Sequence, residues 1–302
     1  MDFGRLPDIS KVDFSLPPDH PDTKVVLETK KAEHCNIYVG CPIWTEKSWL
    51  GKIYPLKTAE KDYLHYYAKK FNTIELNTTH YRIPDDTTLD RWVRSASQGF
   101  KFSPKIPQLI SHAPDITQMT DLMHEFIHQM QQLKEYLGTS FMQLHPTFGP
   151  KRLPELLNFL DHIPFSFKMA IELRNPDWFN NSIETEDLFQ YMKEKQISTV
   201  ITDVAGRRDV LHQRLTTSTA MVRFVANNLH PTDFTRLDAW AERLKKWQAE
   251  DLENFYFFIH TPDKGNCLPL ADEFNRRIGI FPDINTPAIS NSKTGYIQGS
   301  LF

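Results

Sequence analysis

The chain has 302 residues, 40% of them hydrophobic and 24% charged, which excludes disordered, collagen-like and low-complexity classes and suits one large domain or two ordinary ones. Lys and Arg number 35 against 38 Asp and Glu, for a net charge of −3, so the chain lacks the global field that draws nucleic acid or an anionic membrane. Three cysteines without a C-x-x-C pair, no apolar leader and no long apolar run argue for a soluble protein of the reducing cytoplasm, with no membrane partner.

Residues 1–34 are polar and broken by Pro and Asp, and read as an irregular arm on the fold. From residue 36 onward, short apolar runs alternate with longer amphipathic stretches. Strands are expected at 36–41, 72–77, 99–105, 139–145, 167–173, 198–203, 219–226 and 254–260. Helices are expected at 58–70, 87–96, 118–137, 152–162, 184–195, 235–250 and 270–278, while the segment after the sixth strand is short. Units recurring every thirty residues or so follow the βα rhythm of a parallel sheet, and eight of them predict a closed (β/α)8 TIM barrel. No G-x-G-x-x-G follows the first strand, so an open nucleotide-binding sheet lacks its usual signature. The expected organisation is an arm over 1–34, a barrel over 35–280 and a polar tail over 281–302.

Side chains along a barrel strand point alternately to the centre and to the helices, so parity tests where a charge is directed. Glu75 and Asn77 oppose Ile74 and Leu76, and Glu172 and Arg174 oppose Met169, Ile171 and Leu173. Lys105 opposes Phe100 and Phe102, Gln143 and His145 oppose Met142 and Leu144, and Arg223 opposes Val222 and Phe224. The sixth strand ends in Asp203 and the eighth in His260. These polar residues gather toward the C-terminal strand ends, where barrel active sites are built. The alternative is a structural ion-pair network in which Glu75 and Glu172 neutralise Lys105, Arg174 and Arg223.

The string Tyr38-Val39-Gly40-Cys41-Pro42-Ile43-Trp44, followed by Trp49, Gly51 and Tyr54-Pro55, resembles the opening of the YecE-like family, domain of unknown function 72. Agreement continues through Phe71–Asn77, Tyr81–Pro84, Gly99–Phe102, Ser111-His112, Gln143–Pro146, Ile171–Arg174, Trp178, Val222–Phe224 and Tyr256–His260, so it covers about residues 36 to 275. The resemblance implies a single (β/α)8 barrel and supplies no reaction.

On the residues themselves, Glu75, Glu172, His145, His260 and Asp203 are the candidates for acid–base work, or for holding a divalent cation. Lys105, Arg174, Arg223 and Arg207, the last in the loop 205–209, are the candidate grip on an anion. Asn77, Gln143 and His112 join the binding set, and Trp44, Tyr81 and Trp178 are candidate stacking walls. Cys41 is the thiol to check for covalent chemistry. The sequence thus points to an enzyme acting on a small phosphorylated or sugar-like anion. The alternatives are a metal-dependent phosphoester hydrolase and a non-catalytic binding module.

Overall fold

All eight apolar runs form strands in the computed structural model, which describes residues 4–29, 32–279 and the backbone of 284–285. They are β1 (Cys35–Cys41), β2 (Thr73–Leu76), β3 (Lys101–Pro104), β4 (Ser140–Gln143), β5 (Met169–Glu172), β6 (Ser198–Asp203), β7 (Thr219–Val225) and β8 (Asn254–His260). Every ladder is parallel and the order is β3-β2-β1-β8-β7-β6-β5-β4. Between β3 and β4 the ring is closed by isolated bridges, Phe102 to Leu137 and Lys105 to Phe141, with the Ile106 amide donating to the Phe141 carbonyl at 2.8 Å. The protein is a (β/α)8 barrel. No helix among the described residues is long and apolar enough to cross a membrane.

Pleat parity divides the apolar residues into two cores. The large one lies between sheet and helices and includes Ile37, Val39, Ile74, Met142, Ile171, Val222, Phe257 and Ile259. The small one fills the barrel axis with Tyr38, Phe141, Ala170, Val200, Met221, Tyr256 and Phe258, where the rings of Tyr38 and Tyr256 stack at 4.6 Å. Such a plug leaves the charged residues of the same parity only the C-terminal end of the axis.

The outer layer holds the expected helices, among them Tyr63–Lys70, Asp86–Ser95, Thr120–Gln131, Ile183–Glu194, Pro231–Ala249 and Cys267–Ile278. Local chemistry fixes their starts: the side chains of Asp85 and Ser182 accept from the amides of Thr88 and Thr185, satisfying first-turn donors. After β6 there is only a single 3-10 turn, Arg208–Val210.

The arm is not wholly irregular, contrary to the sequence expectation. Pro21–Leu27 is a helix capped by the ring of His20, with Leu27 fully buried. Thr23 Oγ1 donates to the Gln213 carbonyl at 2.9 Å and accepts from the Leu215 amide, and Arg214 ties Asp22 to Glu186 of the helix after β5. Asp19 pairs with Arg243 and Lys246 of the helix after β7. The arm therefore lies in the sector where β6 supplies no helix of its own. The short Val25-Val26-Leu27 run gives no helical period to read, because tertiary partners determine this helix. The expected tail over 281–302 falls outside the described residues, except that the backbone of Ile284–Asn285 pairs with Cys35–Asn36.

If the arm is an integral layer, Leu27→Ala should lower the unfolding free energy in urea by about 2–4 kcal/mol. A loose arm would give a change within about 0.5 kcal/mol.

Candidate functional site

The C-terminal end of the barrel encloses a cavity of about 670 Å³. Its floor is a network assembled from five strands. Arg223 of β7 grips Glu75 of β2 through two bonds, Nε to Oε2 at 2.9 Å and Nη2 to Oε1 at 3.0 Å, while its Nη1 donates to Glu172 Oε2 of β5 at 2.8 Å. The guanidinium lies 5.5 Å from the Phe141 ring centroid, directly on the apolar plug. Gln143 of β4 donates to the same Glu172 oxygen at 2.7 Å and accepts from Lys105 Nζ at 2.9 Å. Arg174 Nε stands 3.7 Å from the other Glu172 oxygen.

Glu75 is fully buried and saturated with donors, since Asn77 Nδ2 at 2.9 Å and His260 Nε2 at 2.8 Å join the two bonds from Arg223. Burial alone would raise its pKa, but Arg223 and the His260 contact overcome that and hold it well below the usual glutamate range. Glu172 is shifted the same way by Arg223 and Arg174. Because Glu75 accepts, His260 carries its proton on Nε2 when neutral and keeps a lone pair on Nδ1. Burial lowers the His260 pKa, which favours that neutral form. Desolvation and the Arg223 charge bring Lys105 down to about 8.

Every charged side chain among the described residues lining the cavity is cationic: Lys105, Arg174 and Arg223 of the floor, with Arg5 and Lys264. His80, His112 and Tyr81 form one wall, and the arm residues Leu6, Pro7 and Ile9 form another. Gly4 lets the arm cross here, with φ at +76° and its carbonyl 2.8 Å from the Gly206 amide. A Cβ on Gly206 would come within 2.8 Å of that carbonyl, so the close approach requires glycine. The buried Thr202 hydroxyl also borders the cavity, with no hydrogen-bond partner among the described residues.

The structure thus brings together Glu75, Glu172, His260, Asn77, Lys105, Gln143, Arg174 and Arg223, with Tyr81 and His112 on the wall. Five expected site residues need correction. Asp203 points away from the axis, where it accepts from Arg236 Nε at 3.1 Å and Trp240 Nε1 at 2.8 Å and pairs with Arg208, fastening β6 to the helix Pro231–Ala249. Parity carries this signal: Val200 belongs to the axial core, so Thr202 faces inward and Asp203 outward. Arg207 grips Asp209 and donates to the Arg174 carbonyl at 2.9 Å, so it braces the β5 loop without lining the cavity. Trp44 packs edge-on against Trp92 away from the mouth, and the fully buried Trp178 donates to the Phe148 carbonyl at 2.7 Å. His145 bonds to Thr147 in its own loop, and its ring meets His112 at 5.1 Å rather than the glutamates.

Among the described residues no group of three or more His, Cys, Asp or Glu is placed to hold a metal ion. Cys41 and Cys267 are fully buried beneath the sheet, and burial pushes the Cys41 thiol well above its ordinary pKa. Sequence reasoning missed His80, whose Nδ1 meets the Ile106 carbonyl at 2.9 Å and whose ring adjoins His112 at 5.6 Å. Its proximity to the cavity follows from the turn Asn77–His80, which alternation along a strand does not describe.

The profile of the family described as "Protein of unknown function DUF72" matches residues 38–291. The chain is 30% identical over 288 residues to UPF0759 protein YecE of Escherichia coli (strain K12), an alignment covering 88% of this chain and all of that one. It is 26% identical over 151 residues to UPF0759 protein YunF of Bacillus subtilis (strain 168), covering 48% of this chain and 52% of that one. Two crystal structures of a DUF72 family protein from Enterococcus faecalis V583 are similar at a TM-score of 0.64. They are 19% and 20% identical, cover 80% and 82% of this chain and 95% and 98% of their own, and at that identity show the fold alone.

Two outcomes test this geometry. Asp203→Asn leaves Arg236 buried with a weakened partner and should cost about 3–5 kcal/mol in urea unfolding. His80 and His112 titrate near 4 in the folded protein against 6.5 ordinarily, and Glu75 and Glu172 lie below 4.5. The unfolded chain therefore binds more protons at each of these four groups, so stability falls as pH drops below 6.5 and falls further below 4.5. Melting temperatures across pH 3–8 check this, and His80→Asn, which keeps a donor for Ile106, should flatten the upper part of the decline.

Proposed function

The chain belongs to the DUF72 family of proteins of unknown function, and we propose that its barrel is an enzyme acting on a small anionic substrate through histidine acid–base chemistry. One observation carries the reading: among the described residues the charged side chains that line the cavity are all cationic, while the carboxylates do not line it and are held by Arg223. With Lys105, Arg174 and Arg223 set against Glu75 and Glu172, the floor carries one excess positive charge, in a site that water screens poorly. Phosphate and carboxylate are the anions that guanidinium and ammonium donors recognise best.

His260 is the proton-transferring group in this reading. Glu75 plays the part of the orienting carboxylate in a catalytic triad, accepting from one ring nitrogen so that the other is a base. Glu75 itself stays ionised and saturated, so it is a positioning residue. Glu172 and Gln143 hold Arg223 and Lys105 in register beneath the anion.

Titration calorimetry with inorganic phosphate should give saturable binding and a raised melting temperature. Arg174→Gln should weaken that binding about tenfold or more, since a charged hydrogen bond contributes about 1.5–3 kcal/mol. For a ligand recovered with the purified protein, His260→Asn should keep binding but lose turnover. If phosphate, sulfate and sugar phosphates all leave the melting temperature unchanged, the anion reading fails. A recovered ligand bound by the wild type and never converted supports a binding module instead.

A further inference from the structure

Lys105 carries chemistry that the acid–base reading leaves unused. It stands directly after β3, where its amide donates to the Leu76 carbonyl at 3.2 Å and its carbonyl accepts from Thr79 Oγ1 at 2.7 Å, so its backbone is held from both sides. The residue is 7% exposed, yet it lines the cavity. A buried lysine ordinarily ends on a carboxylate. Here Nζ makes its hydrogen bond to the neutral Gln143 Oε1, and it forms no ion pair among the described residues. Both nearby glutamates are engaged by Arg223, and desolvation with the charges of Arg223 and Arg174 outweighs the glutamates' pull on the amine. Desolvation beside other cations is the arrangement that turns a lysine from a fixed charge into a nucleophile.

We propose that Lys105 forms an imine with the carbonyl carbon of a small anionic aldehyde or ketone, whose anionic group is held beside Arg174. This rests on the anion-binding reading and narrows its substrate to carbonyl compounds. The neutral amine adds to the carbonyl carbon, and the displaced π pair goes to oxygen, which takes up a proton. The nitrogen releases a proton, the hydroxyl is protonated and leaves as water, and the nitrogen lone pair closes the C=N bond. Protons exchange with solvent in the open cavity, and no oxidant or reductant is required. The protonated imine acidifies the adjacent C–H, giving the neutral His260 base a proton to remove.

The test uses the full chain with glyoxylate, an aldehyde bearing a carboxylate, and cyanoborohydride to reduce any imine formed. Peptide mapping locates the carboxymethyl-lysine, and thermal shifts with phosphate and oxalate, which carry no aldehyde, are recorded in parallel. Modification of Lys105 should run at least about tenfold faster than at any exposed lysine, rise with pH to a plateau above about 8, and be suppressed by phosphate. K105R should lose that adduct, while the wild-type map decides the question whether or not the variant folds. If Lys105 reacts no faster than surface lysines while phosphate or oxalate still raises the melting temperature, the imine is overturned and the anion site stands. If neither anion shifts the melting temperature and Lys105 is unmodified, both fall.

Discussion

A guanidinium held between two buried carboxylates organises the mouth of this barrel. Removing Glu75, Glu172 and Arg223 from water costs several kcal/mol per ion, which their attraction offsets only when the remaining lone pairs and N–H groups also find partners. Glu75 finds them in Asn77 and His260, while Gln143 engages one oxygen of Glu172 and Arg174 Nε faces the other at 3.7 Å. The same requirement that makes the cluster tolerable therefore dictates which other side chains sit at the barrel end and how they are oriented. His260 has a defined tautomer because Glu75 stays ionised, and Lys105 rests on an amide because Arg223 occupies both carboxylates.

Below this layer the axis is filled by aromatic and aliphatic side chains, while its face toward the cavity is cationic, so polarity changes steeply along one short direction. Electrostatic interactions strengthen where the dry plug limits screening, and the open end leaves room for a ligand to take the place of water. The arm contributes to both features. Its helix fills the outer sector that β6 leaves without one, and residues 4–9 then reach over the cavity edge. One stretch of chain thus completes the fold and shapes the entrance.

The outliers from the expected site share a cause. Asp203 and Trp178 occupy positions where a chemically useful side chain is equally useful as a fastener, and each is consumed by a buried partner: Arg236 and Trp240 for the acid, the Phe148 carbonyl for the indole. Buried polar groups need hydrogen bonds whether or not a site needs the residue. For Asp203 the strand alternation already separates the two cases, since Val200 and Thr202 share the inward face. For Trp178 and Arg207 it cannot, because both lie in loops, where chain direction changes from residue to residue.

Composition and periodicity alone determined the eight-unit rhythm, the two faces of each strand and the inward placement of Glu75, Lys105, Gln143, Glu172, Arg223 and His260, because a pleated strand alternates its side chains whatever its neighbours are. Tertiary structure decided what those inward residues became. Which carboxylate Arg223 grips, which nitrogen of His260 keeps its lone pair, that Lys105 ends on an amide and that His80 joins the wall all depend on distances between strands and loops far apart in the chain. Local sequence carries no term for such distances, so the cavity and its charge exist only once the barrel has closed.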